Sequence, residues 1–281
     1  MNDLSENDVI DYLVLGHVTQ DITPHGHQLG GTAAYASLLA HRMGLQVGLV
    51  TVASDDISLS LMEGVQIQKY TAAKTTTFEN RYPPSGRVQT LHHRAPSITY
   101  QHIPPAWRSA PIVHLAPVAK ELDKEMIRKF PSSFLGISLQ GWLRQWDENG
   151  KVTPTPLDFS LRQCPSSTVV ILSYEDVEDD RDQITQYAQQ CPVLIATRGD
   201  QGSELYYQGN VIPIPTTPQM EQDPTGAGDI FASAFFIHYA RHGVITDAAH
   251  YATWLAARSV AQTGLDGVPS KADIQSLEEV L

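Results

Sequence analysis

Short, nearly continuous apolar runs recur along the chain between longer mixed segments. Residues 9–16 (VIDYLVLG), 46–53 (QVGLVTVA), 111–116 (PIVHLA), 133–139, 168–172 (TVVIL) and 192–196 (PVLIA) are such runs. A strand buried on both faces produces this pattern. Helical segments are expected at 32–43, ended by Gly44, at 121–130 and, rich in small and aromatic residues, at 230–241 and 247–262. A shorter one is expected after Asp55-Asp56, through Met62. Strand, helix and strand in alternation predict parallel βαβ units, hence an α/β fold around a mostly parallel sheet.

Between 65 and 102 the texture changes to alternation, in VQIQKY, TTTFENRY and RVQTLHH, broken by the turn signal Pro83-Pro84-Ser85-Gly86. This block reads as an antiparallel hairpin set grafted onto the α/β body. Residues 203–214 read as a hairpin turning at 208–210. There is no repeat, low-complexity tract or linker, so residues 1–281 read as one domain, with accessory β segments about 17–29 and 65–103.

With 281 residues and 42% apolar content the chain can bury a full core. Nineteen Lys and Arg against 31 Asp and Glu give a formal charge of −12, which argues against a nucleic-acid or anionic-membrane partner. Two cysteines without CxxC spacing suggest neither a disulfide framework nor a zinc site. His92-His93 lie side by side, and on a strand neighbouring side chains point to opposite faces, so they do not chelate one ion. No export signal or long apolar span is visible, and a cytoplasmic setting is expected.

The most chemically explicit stretch is 223–229, Asp-Pro-Thr-Gly-Ala-Gly-Asp, running at once into an apolar helix. A small-residue turn at a helix start presents unpaired backbone N–H groups and the positive end of the helix dipole, an arrangement that holds anions. Asp229 falls in the first turn, where that field is expected to keep its carboxylate ionised. Gly30-Gly31, before the first helix, would let backbone approach a ligand closely. Asp21 follows the first strand, at the carboxyl end where α/β sheets bind ligands.

This stretch resembles the C-terminal signature of the ribokinase-like (PfkB) carbohydrate kinases, and Gly30-Gly31 with the following helix resembles their N-terminal one. The resemblance implies a three-layer α/β/α fold with a small β-sheet lid, and transfer of the γ-phosphoryl group of ATP to a sugar or polyol hydroxyl. It implies Asp229 as catalytic base and the amides of Gly226, Ala227 and Gly228 as anion hole. Asp21, Gly30, Gly31, Tyr35, Asn80, Arg87, Gln89 and Arg144 would meet the acceptor, and Phe78 would belong to the lid. Ser173, Thr197, Gly199, Gly202, Thr225 and Ala257 would meet the nucleotide, with Ala256, Ala257 and Val260 as an apolar slot wall. Asp176 would hold Mg²⁺ through water, and Asp223 would serve a monovalent cation such as K⁺.

Tyr35 departs from the family's Asn at that position. Some inositol-kinase-like members carry Tyr there, which keeps a cyclitol acceptor in view. Ser173 and Asp176 alter the family's Asn-x-x-Glu. A ribokinase-fold nucleoside kinase and an inactive sugar or nucleotide sensor stand as alternatives, and the lid offers a surface for a homodimer. GxGxxG after the first strand, GxxxxGK[ST] and GxSxG are all absent, against dinucleotide oxidoreductases, P-loop NTPases and serine hydrolases. Beside Trp142 and Trp146, Arg144 has the alternative of packing on indole.

Overall fold

The computed structural model describes residues 9–24, 26–81, 88–216 and 219–279. Its N-terminal part runs β1 (Tyr12–Leu15), β2 (Thr19–Thr23), β3 (Gly26–Gly30), α1 (Thr32–Arg42), β4 (Val47–Ala53), β5 (Gln66–Thr71), β6 (Thr76–Arg81) and β7 (Val88–His93). Next come β8 (Ile112–Leu115), β9 (Phe134–Ser138), β10 (Arg144–Trp146), β11 (Val152–Pro154), β12 (Thr168–Ser173), α2 (Arg181–Ala188) and β13 (Val193–Thr197). The hairpin β14 (Ser203–Tyr207) and β15 (Asn210–Ile214) leads to α3 (Ala227–His242), α4 (Ile245–Ser259) and α5 (Lys271–Glu278).

The main sheet has the order β15-β14-β13-β12-β9-β8-β1-β4-β5. Its ladders are parallel except the two made by β14. The apolar runs follow from burial on both faces. Tyr12 and Val14 of β1 enter the core shared with α1, α3 and α4, while Leu13 and Leu15 enter the core on the other side. On the first face every residue from 230 to 237 of α3 is buried, so this half of the helix needs no polar side. Fully buried Phe235 and Phe236 are each worth about 2–3 kcal/mol of apolar burial there. The opposite layer is thinner, made of α2 and 3-10 turns that bring in Trp107 and Phe130. Among the described residues no helix is long and apolar enough to cross a membrane.

Two elements differ from what periodicity suggests. The expected helix at 121–130 is only a 3-10 turn, Lys124–Arg128. Glu121 is the reason: its buried carboxylate accepts from the N–H groups of His17, Val118 and Ala119, and so holds the start of that segment in a loop. The expected helix ending at Met62 is likewise a 3-10 turn, Ser60–Met62.

The alternating stretch 65–102 divides between two sheets. Its first part, β5, is not in the grafted hairpins; it runs parallel to β4 as the edge of the main sheet. An edge strand is half exposed and alternates for that reason, which imitates a hairpin strand. The small sheet has the order β3-β2-β6-β7, with antiparallel hairpins β2–β3 and β6–β7 joined by a parallel β2–β6 ladder. The turn expected at 83–86 lies outside the described residues. His92 and His93 have separate partners, Glu79 and Lys74, as their alternation requires.

From β1 the chain builds outward to β4 and β5 on one side and to β8, β9, β12 and β13 on the other. The order therefore switches between β1 and β8, and in open α/β sheets the crevice at such a switch binds ligands.

Candidate active site

A cavity of about 1020 Å³ opens there, between the carboxyl ends of the main strands, the small sheet and the start of α3. Its floor is the turn that begins α3. Gly226 precedes the helix with φ 84°, and a Cβ there would collide with the Tyr35 ring, so only glycine fits. Asp223 clamps the turn from behind: its carboxylate accepts from Thr225 N–H at 2.9 Å and Gly264 N–H at 3.0 Å. The Ala227 N–H is not open, as the sequence pattern suggested, because it closes the turn onto the Pro224 carbonyl at 3.2 Å. The N–H groups of Gly226 and Gly228 have no acceptor among the described residues. At Gly228 a side chain would meet nothing within 4 Å. In a helix glycine costs about 1 kcal/mol relative to alanine, and here the space it leaves lies on the cavity.

Asp229 projects from this first turn into the cavity while surrounded by protein on its other sides. Burial pushes its carboxyl up from 3.8 to about 6, with Thr32 and Arg144 pulling down and Asp176 and Asp21 adding to the rise. Desolvation outweighs the helix field in setting this value, yet at about 6 the carboxyl is still mostly ionised at neutral pH, as expected from its place in the first turn. Thr32, the first residue of α1, has a buried Oγ1 that faces Asp229 without a hydrogen bond of ordinary geometry. Two helix starts thus converge on the floor, and Thr32 is the side chain that motif reading missed. Its place directly after Gly30-Gly31 was the available signal.

On the small-sheet side, Asp21 of β2 accepts from Thr19 Oγ1 at 2.9 Å. A Cβ at Gly30 would collide with the Asp21 carboxylate, so Gly30 makes room for Asp21 without itself lining the cavity. Gly31 and Tyr35 line it directly, and burial followed by Asp229, Asp21 and Asp223 raises the Tyr35 phenol far above its ordinary value. Asn80 of β6 and Gln89 of β7 are cross-strand partners, Gln89 Nε2 donating to Asn80 Oδ1 at 3.0 Å. Arg144 of β10 donates to the Val118 carbonyl at 3.1 Å, and its guanidinium lies over Phe78, not over an indole. Gln140, Val118, Leu143 and Val152 complete this side and were not anticipated. Arg87 lies outside the described residues.

The opposite side is built from strand ends. Ser173 and Asp176 form a reciprocal cap in which Asp176 Oδ2 accepts from Ser173 N–H at 2.8 Å. Thr197 ends β13, Gly199 and Gly202 come from the turn after it, and Thr225, Thr253, Ala256, Ala257 and Val260 face them. Glu175, Glu178, Asp179 and Asp200 also line this side. Arg198 points away, stacked on Tyr174 and paired with Glu204 at 3.7 Å.

Residues 169–271 match the model of the pfkB family carbohydrate kinases. The fold matches ribokinase-family structures over nearly their whole length: a pyrophosphate-dependent kinase complexed with a pyrophosphate analogue and myo-inositol aligns with a TM-score of 0.79 at 18% identity, covering 94% of this chain and 99% of that one. The chain thus shares the fold of the ribokinase family, and its C-terminal part, residues 169–271, is similar to the pfkB carbohydrate kinases. Arabidopsis thaliana ribokinase with ribose and ATP aligns with a TM-score of 0.71 at 15% identity, over 96% of this chain and 98% of that one. By sequence, a cytidine kinase of Thermococcus kodakarensis is 26% identical over 83% of this chain and 90% of its own length. An inositol 3-kinase of Zea mays is 29% identical over 52% of this chain and 38% of its own length.

Proposed function

We propose that this chain is a PfkB-type kinase that transfers the γ-phosphoryl group of ATP to a hydroxyl of a cyclitol or sugar, with Asp229 as the base. The observation that carries the proposal is the position of Asp229. It stands one residue beyond the open Gly228 amide, on the cavity, between the polar small-sheet shelf and the strand-end side. Phosphoryl transfer passes through a loose transition state, so catalysis rests on alignment and on neutralising spread charge. The amides of Gly226 and Gly228 and the positive ends of α1 and α3 meet that need on the floor. Asp229 orients the acceptor hydroxyl and receives its proton late.

Asp21, Asn80, Gln89 and Arg144 ring the acceptor shelf with donors and acceptors, which supports a small ring bearing hydroxyls around its edge. The Phe78 face is occupied by the Arg144 guanidinium. A flat base therefore lacks a bare aromatic platform there, which favours a cyclitol or sugar over a nucleoside. The similarity to a cytidine kinase favours the second reading, a nucleoside acceptor.

The donor side supports ATP in preference to pyrophosphate. Thr253, Ala256, Ala257 and Val260 offer an apolar wall that suits adenosine, whereas Glu175, Asp176, Glu178, Asp179 and Asp200 make a poor host for a bare polyanion. Ser173, Thr197, Gly199, Gly202 and Thr225 would frame the phosphates. The oxygen donors here suit Mg²⁺, which keeps several waters and binds through one or two carboxylates plus phosphate oxygens. Among the described residues no three His, Cys, Asp or Glu side chains converge to hold an ion by themselves. Asp176 and Glu175 would hold Mg²⁺ through its waters; when bound, the ion would neutralise charge on the transferring phosphates. A monovalent cation beside Asp223 would use the lone pairs left by its two backbone bonds, and comparing rates in potassium and sodium tests it.

The test is turnover with ATP or pyrophosphate as donor against a panel of inositols, sugars and nucleosides, with Mg²⁺. ATP-dependent phosphorylation of a cyclitol or sugar supports the proposal; cytidine as the preferred acceptor selects the second reading. A purified, folded chain that turns over no acceptor with either donor counts against the proposal, and binding of a polyol or nucleotide without turnover favours a sensor.

A further inference from the structure

The chain passes between the main sheet and the small sheet at four places, and all four meet at one buried histidine. The first crossing, from β1 to β2, contains His17, which has no accessible surface. At the second, from β3 to α1, the His17 carbonyl lies against Gly31, where a Cβ would come within 2.8 Å of its oxygen. At the third, from β5 to β6, Thr76 Oγ1 meets His17 Nδ1 at 2.7 Å. After β7, at the fourth, His17 Nε2 meets the Pro96 carbonyl at 2.9 Å. A carbonyl only accepts, so Nε2 carries the proton and Nδ1 accepts from the Thr76 hydroxyl. That hydroxyl in turn accepts from Ala95 N–H at 3.0 Å.

The body grips the same segment. Glu121 accepts from His17 N–H at 3.0 Å, and Thr51 Oγ1 of β4 accepts from Val18 N–H at 3.0 Å. Burial lowers the imidazole pKa, against Glu121, whose charge raises it, so the ring stays neutral and the two ring bonds keep their direction. The ring thus ties both ends of the β6–β7 hairpin to the root of β2. Asp21 and Thr19 stand on β2, Phe78 and Asn80 on β6 and Gln89 on β7, whereas Asp229 stands on the body.

We propose that His17 is a positioning residue: it pins the small sheet to the body and so sets the distance between the acceptor shelf and Asp229. It touches neither reactant. The kinetic part of this inference rests on the kinase reading, and the structural part does not.

Amide hydrogen exchange on the full chain tests it without any substrate. In His17→Ala the amides of β2 and β6 are expected to exchange about tenfold faster or more, the scale of a lost buried hydrogen bond, while those of β8, β9 and β12 keep their rates. His17→Asn, whose Oδ1 stands near the place of Nδ1 and can accept from Thr76, is expected to restore part of the protection. With the acceptor selected by the panel, KM for acceptor rises about tenfold and KM for ATP stays within about twofold. Uniform acceleration over both sheets overturns the proposal, because His17 would then only stabilise the fold; so does unchanged exchange in the small sheet. If His17→Ala does not fold, Thr76→Val, which removes the lid-side hydroxyl at nearly constant shape, is read by the same criteria. Selective loss of protection with no kinase activity in the wild type would leave the pivot standing and remove the kinase reading.

Discussion

Replacing Asp229 with Asn separates the stability of the site from its chemistry. Burial raises the carboxyl from 3.8 to about 6. With about 1.36 kcal/mol for each pKa unit, keeping Asp229 ionised costs the folded chain about 3 kcal/mol at pH 8. The sign follows from the direction. The folded chain holds this proton more tightly than the unfolded chain, so stability is full below about pH 4 and is lost as pH rises through about 6. Asn mimics the protonated acid and removes the penalty. Asp229→Asn is therefore expected to melt roughly 5–10 °C above the wild type at pH 8, with the free-energy gap shrinking to about 0.5 kcal/mol at pH 4. Thermal or urea unfolding of both proteins, without nucleotide, between pH 4 and 8 measures this. A variant less stable than the wild type at pH 8, or a gap that does not close in acid, would refute the reasoning about burial.

The other expectations concern single positions. If Asp229 must be ionised to act, kcat/KM rises with pH through about 6 in the free enzyme, and a rate flat from pH 5 to 8 contradicts it. Gly228→Ala meets no protein atom, so its melting point is expected to hold or rise by up to about 1 kcal/mol of stability; kcat should fall as the added methyl crowds the phosphoryl group, and an unchanged kcat would show that the amide is not approached. Asp21→Asn should raise KM for the acceptor about tenfold or more, the scale of a hydrogen bond to a charged group, with KM for ATP unmoved.

The reach of sequence reading followed the physics of each element. Strands such as β1 and β12 were legible because burial on both faces leaves nearly unbroken apolar runs. The start of α3 was legible because a left-handed Gly226, the open Gly228 and Asp229 each constrain residue type. By contrast β5 was misplaced, since an edge strand and a hairpin strand share one alternating pattern. The segment from Glu121 onward was read as helix because nothing in its spacing reveals a carboxylate turned inward to collect backbone N–H groups. Ala227 was assigned an open amide because the turn bond to Pro224 depends on backbone path and not on residue type. Thr32 and His17 escaped notice as single polar residues whose partners lie far along the chain or in another sheet.

The most direct test of the central claim is the rate of ADP formation by the purified wild type and by Asp229→Asn, with Mg²⁺, ATP and the best polyol of the panel. The account predicts acceptor-dependent turnover in the wild type, a loss of at least about a hundredfold in the variant, and ATP binding retained in both. A folded Asp229→Asn that keeps most of the wild-type rate would contradict it.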